Sequence, residues 1–134
     1  MKDIYVIGMD IGGSHVACQV VNLNGCQALT ETYVEVKVAE TEAAAVIFAA
    51  WEEALKVCLT KTSYVVEGIG VAIPSPFDFS QGIAMADHKF ASLKGMNIRA
   101  ELHRMTGIAA DRILFTNDAA AFGMGAWRLN GATD

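Results

Sequence analysis

Three short segments carry residues whose types and spacing could do chemistry. Asp10-Ile11-Gly12-Gly13-Ser14 sets a carboxylate at the end of an apolar run, then two glycines and a hydroxyl. Two glycines let a backbone approach a bulky anion and aim N–H groups at it. Ser14 adds a hydroxyl donor, and Asp10 suits a metal ion, bound directly or through water. The same segment also reads as an ordinary hairpin turn closed by an Asp side chain. It is no Walker A loop, because G-x-x-x-x-G-K-[ST] is missing, and the chain holds no G-x-G-x-x-G.

Asn117-Asp118 follows the apolar run Ile113–Thr116. A carboxylate at a strand-to-helix junction can accept a proton from a hydroxyl, or it can simply cap the helix. Pro74-Ser75-Pro76 ends another apolar run with a rigid bend, which also serves as a plain strand stop. His88-Lys89 falls in a stretch without periodicity. A histidine there suits a sugar hydroxyl and a lysine a phosphate; a solvated loop tip is the bland alternative. His15 and His103 have no metal-ligand companions and read as structural or surface residues.

The elements that must position these groups follow from periodicity. Ile4–Met9, Val16–Asn22, Val65–Ile73 and Ile113–Thr116 read as strands, the first fully buried. Asn24-Gly25 predicts a hairpin, and Val34, Val36 and Val38 alternate with polar neighbours in a third strand. Thr41 is the expected N-cap of a helix whose stripe runs through Val46, Ile47, Ala50, Trp51, Ala54, Leu55, Cys58 and Leu59. Residues 77–95 predict a functional loop or a small extra hairpin. Asn97 and Gly107 bracket a second helix over Arg99–Met105, and Ala119–Leu129 reads as a third.

The order β-β-β-α-β-(loop, α)-β-α predicts an α/β fold. Its mixed five-stranded sheet has an antiparallel β1-β2-β3 meander, parallel later strands and helices on both faces. Ligands of such sheets gather at the carboxyl ends of the parallel strands. Asp10–Ser14, Pro74–Pro76 and Asn117–Asp118 all fall there.

The totals narrow the function classes. The chain has 134 residues, 53% hydrophobic and 19% charged, enough for one domain with a core. With 10 basic and 15 acidic residues the net charge is −5, and no Lys/Arg cluster argues for nucleic acid. No apolar run approaches the ~18 residues of a membrane span. Met1-Lys2-Asp3 leads straight into a strand without a signal-peptide layout, so a cytoplasmic protein is expected. Cys18, Cys26 and Cys58 lack C-x-x-C spacing and are expected to be buried free thiols. The high apolar content predicts self-association, with a homo-oligomer as the expected state.

Val6-Ile7-Gly8-Met9-Asp10-Ile11-Gly12-Gly13-Ser14, then Gly68-Ile69-Gly70-Val71-Ala72-Ile73-Pro74-Ser75-Pro76, then Phe115-Thr116-Asn117-Asp118-Ala119-Ala120-Ala121 resemble, in order and spacing, the ROK family of sugar kinases. The family lies within the actin/hexokinase/Hsp70 superfamily, so the resemblance implies an RNase H-like (actin-like ATPase) domain. It also implies ATP-dependent phosphorylation of a hexose or N-acylated hexosamine with Mg²⁺. By that likeness Asp10, Gly12, Gly13 and Ser14 form the first phosphate loop, with Asp10 toward the metal. Asp118 is the general base, Asn117 a sugar ligand, Ser75 a neighbour of the sugar and His88 part of the sugar-binding loop. Gly82 turns the hairpin leading into that loop.

The chain departs from the family pattern at Ser14-His15, where Thr-Lys is usual, and at Pro74-Ser75-Pro76, where Pro-Gly-Pro is frequent. On this resemblance the chain is expected to stop before the second lobe. That lobe holds a further Glu and His for the sugar, a cysteine-rich zinc motif and the adenosine site. Two other readings stand beside the kinase: a sugar-sensing ROK regulator without turnover, and a stand-alone interaction module. Such regulators usually carry a DNA-binding helix-turn-helix ahead of the kinase-like part, and with a strand starting at Ile4 none is expected here.

Overall fold

The computed structural model describes residues 3–74 and 76–117. Its spine is β1 (Tyr5–Ile11), paired antiparallel to β2 (His15–Asn22) over its whole length and parallel to β5 (Val66–Ala72) on the other side. β8 (Ile113–Thr116) joins the far edge of β5, also parallel. The fold is the expected α/β arrangement with a mixed sheet.

Among the described residues the sheet has six strands rather than five. The third strand of the meander is broken into β3 (Gln27–Ala28) and β4 (Val34–Lys37), both paired antiparallel to β2. A single 3-10 turn, Thr30–Thr32, separates them. Thr32 is fully buried, and its hydroxyl accepts from the Val20 N–H at 2.8 Å and donates to the Leu29 carbonyl at 2.6 Å. A side chain thus replaces a ladder bond, and the buried Val20 N–H is not stranded.

Helix α1 (Ala44–Thr60) begins two residues after the expected start, at an N-cap, Ala43, that makes no side-chain cap bond. Thr41 is not the cap. Ile47, Phe48, Ala50, Trp51, Ala54, Leu55 and Cys58 form its buried stripe; Val46, expected there, is 47% exposed, and Phe48 packs edge-on against Trp51 instead. Full burial of side chains such as Ile47 and Leu55 stabilises the domain by roughly 1.5–3 kcal/mol each. Helix α2 (Ile98–Thr106) has the expected brackets: the Asn97 side chain accepts from the Ala100 N–H at 3.0 Å, and Gly107 closes it at φ 75°.

Both helices share one core with Ile7, Met9 and Ile11 of β1, Val16, Cys18 and Val20 of β2, and Ile69 and Val71 of β5. Among the described residues the helices therefore cover one face of the sheet, and the helix expected over Ala119–Leu129 lies outside those residues. Between β5 and α2 a two-stranded hairpin, β6 (Phe77–Asp78) and β7 (Ile83–Ala84), fills the stretch without periodicity. Cys18 and Cys58 are buried free thiols, and burial pushes Cys58 up to about 11 and Cys18 well above its ordinary value. Cys26, expected to be buried, is exposed in the β2–β3 turn.

Candidate functional site

Strand register brings the candidate segments to one rim. Asp10 pairs with Ala72 on β5, and Ala72 with Thr116 on β8, so the three share one row across the parallel strands. One residue further, the Ile73 N–H donates to the Thr116 carbonyl at 2.9 Å and holds the last two strand ends together. Asn117 follows that row directly, and Gly12 and Pro74 lie two residues beyond it. Asp10 is 7% exposed, while Asn117 is open to solvent. Ser75 and Asp118 lie outside the described residues.

The turn between β1 and β2 is fixed by more than its own hairpin. The Gly12 N–H donates to the His15 carbonyl at 2.9 Å. The carbonyls of Gly13 and Ser14 accept from the Glu40 N–H at 2.9 Å and the Val38 N–H at 3.1 Å. The loop after β4 therefore straps the turn from one side. A Cβ on Gly12 would stand 3.2 Å from His15 Cε1, so glycine lets the buried imidazole lie against the turn. Where the family usually has a lysine, this chain has that buried ring. Gly13 and Ser14 are exposed, and among the described residues nothing accepts from their N–H groups. They are the backbone donors left for an anion.

Glu40, which no sequence signal distinguished from any other loop carboxylate, stands over this turn. A Cβ on Gly13 would be 3.6 Å from its carboxyl carbon and 3.7 Å from either oxygen. Its Oε2 is buried and has no hydrogen-bond partner. Among the described residues no group of three or more His, Cys, Asp or Glu gathers as a metal cage. The donor set is instead two open N–H groups, a hydroxyl, the rim carboxylate Asp10 and a bare carboxylate oxygen. That set fits an anion carrying its own cation, such as a magnesium–phosphate pair, which brings most of its ligands with it.

His88 is exposed in the loop after β7. Beside it the Asp87 carboxylate is held below its usual range by the Lys94 ammonium it contacts. The far end of the loop is tied down where Ser92 Oγ donates to the Glu42 carbonyl at 2.8 Å, in the connection that also carries Glu40. The base of the hairpin is anchored by Arg99, a second residue that sequence reasoning passed over. Its Nε donates to the Ile113 carbonyl at 3.1 Å, a terminal nitrogen donates to the Ser80 carbonyl at 2.9 Å, and the guanidinium lies 5.3 Å from the Phe115 ring centre. One side chain thus joins α2, the hairpin turn and the strand that leads to Asn117. Gly82 turns the hairpin at φ +76°, as expected.

No protein-family model matches the chain, and no curated protein matches it in sequence. Solved structures do match. The ROK hexokinase of Thermus thermophilus is 25% identical with a TM-score of 0.67; the match covers 84% of this chain and 35% of that one. The inorganic polyphosphate/ATP-glucomannokinase of Arthrobacter sp. strain KM is 22% identical with a TM-score of 0.70, over 91% of this chain and 50% of that one. A ROK family transcriptional regulator, a homologue of the E. coli MLC protein, is 17% identical with a TM-score of 0.64, over 85% of this chain and 28% of that one.

The class that fold and rim define is the actin-like ATPase domain. Within it the chain is similar to part of a solved ROK family kinase. The chain spans between about a third and a half of the length of the two kinases.

Proposed function

We propose that the intact protein transfers the terminal phosphoryl group of MgATP to a hydroxyl of a hexose or N-acylhexosamine. The observation that carries this reading is the rim itself. One register row aligns Asp10 with the strand ends that lead to Pro74 and Asn117, beside a glycine turn with two N–H donors that no described residue uses. Phosphoryl transfer asks a protein mainly for positioning and for charge stabilisation, which such a rim supplies.

In this reading the Gly13 and Ser14 N–H groups hold phosphate oxygens, and Gly12 keeps the turn tight. Bound Mg²⁺, held from Asp10, would neutralise phosphate charge. Asn117, Ser75 and His88 hold the sugar. Asp118 takes the proton of the attacking hydroxyl as its oxygen bonds phosphorus and the bond to the ADP oxygen breaks. The kinase neighbours support this reading over an interaction module. The regulator neighbour supports a second reading, a sugar sensor built on the same lobe. Among the described residues no helix is long and apolar enough to cross a membrane. We place the protein in the cytoplasm, as a homo-oligomer.

Asp118→Asn separates base from cap. Asparagine caps a helix nearly as well as aspartate. It cannot take the proton, and loss of a general base lowers kcat by ~10²–10⁴. The expected outcome is intact sugar binding by calorimetry with turnover reduced at least about a hundredfold. A variant that keeps more than about a tenth of the rate removes Asp118 from the chemistry.

A further inference from the structure

We propose that Glu40 makes the glycine turn selective for a metal-bound phosphate over a free one. The inference rests on the phosphate-binding reading of that turn and adds a residue to it. The carboxylate lies along Gly13, within 3.7 Å of where a Cβ would stand, and the backbone of residue 40 is bonded to the Gly13 carbonyl at 2.9 Å. The main chain thus fixes where the side chain starts, and in the rotamer present the carboxylate reaches back along the turn. Its Oε2 is buried and unpartnered. A buried carboxylate oxygen without a donor is costly unless a ligand satisfies it.

The turn thus sets two things side by side: N–H donors at Gly13 and Ser14, and a carboxylate within 3.7 Å of the Gly13 Cβ position whose Oε2 is buried and unpartnered. A free polyanion satisfies the donors and collides electrostatically with Glu40. A cation alone satisfies Glu40 and faces the N–H dipoles. A metal–phosphate pair satisfies both. In a partly dehydrated turn such charge terms are several-fold stronger than in water.

The test is calorimetric titration of the intact protein with ATP, once with Mg²⁺ in excess and once with a chelator. The quantity read is the ratio of the two affinities, in wild type, Glu40→Gln and Glu42→Gln. Glutamine keeps the backbone N–H that ties residue 40 to the turn, so the strap is retained. Glu42 is exposed two residues away, and its replacement removes the same net charge without touching the turn.

Wild type is expected to favour MgATP strongly. Glu40→Gln is expected to shrink that preference about tenfold or more, mainly by tightening metal-free ATP, and Glu42→Gln to leave it unchanged. An unchanged ratio in Glu40→Gln overturns the proposal. So does an equal shift in Glu42→Gln, which would make the effect one of net charge. Equal affinity of wild type for ATP with and without Mg²⁺ overturns it while leaving the kinase reading in place. Absence of nucleotide binding in either condition overturns both.

Discussion

The meander contains two glycine turns at opposite ends of the sheet, and they use glycine for different reasons. In the β2–β3 turn Gly25 has φ +92°, and a Cβ there would meet nothing within 4 Å. Glycine serves the backbone dihedral alone. In the β1–β2 turn neither Gly12 nor Gly13 has a positive φ. Glycine there leaves room, for the His15 ring at one position and for whatever approaches beside Glu40 at the other. Both turns are tied to a third segment, but differently: Asn24 Nδ2 donates to the exposed Asp3 carboxylate at 3.1 Å, whereas the Val38 and Glu40 N–H groups hold the second turn by its own backbone carbonyls. What sets the rim apart is that a glycine there leaves room beside a carboxylate, where Gly25 serves the dihedral alone.

Gly82 combines both constraints and so gives the largest expected effect on stability. Besides its φ of +76°, a Cβ would come within 2.9 Å of both Arg99 Cβ and the Phe115 ring. Gly82→Ala is expected to destabilise by about 2–4 kcal/mol in urea unfolding, through strain and forced repacking together. A change within ~0.5 kcal/mol would show that the hairpin is not packed on α2 as described.

The two meander turns themselves should respond in opposite ways. Gly13→Ala meets only ordinary contact distances, so stability should move by less than ~0.5 kcal/mol. If the turn holds phosphate as proposed, turnover should nonetheless fall about tenfold or more, because the methyl would stand in the phosphate's approach. Gly25→Ala should lose about 1 kcal/mol of stability to the left-handed backbone and leave the rate per folded molecule unchanged. Parallel unfolding curves and steady-state kinetics on the two variants check the pair. Equal losses of activity would erase the distinction.

Much of the scaffold was legible because burial on both faces leaves apolar runs. β1 and β5 lie where such runs predict them, β8 follows its short apolar run although Leu114 is exposed, and Asn97 and Gly107 bracket α2 through chemistry local to the sequence. The break between β3 and β4 was not legible. Thr32 looks like any polar strand residue, and only the fold shows its hydroxyl replacing a ladder bond. The start of α1 misled for a related reason: Thr41 is a good cap by type, yet the helix begins at an alanine without a side-chain cap bond. Asn24-Gly25 did mark a turn, but the positive φ values fall on Gly25 and Cys26, one residue later.

At the rim, residue types pointed to Asp10–Ser14 and Asn117, and register aligned them. Glu40 and Arg99 carry no motif. Their roles come from contacts between segments distant in the chain, which no local pattern encodes.

The most direct measurement of the central claim is an ADP-release assay on the intact protein with MgATP, run against a panel of hexoses and N-acylhexosamines. At least one sugar is expected to stimulate ADP formation to roughly 1–100 per second, with one sugar phosphate formed per ADP. Sugar binding without any sugar-dependent ADP formation across the panel would contradict it and leave the sensor reading in its place.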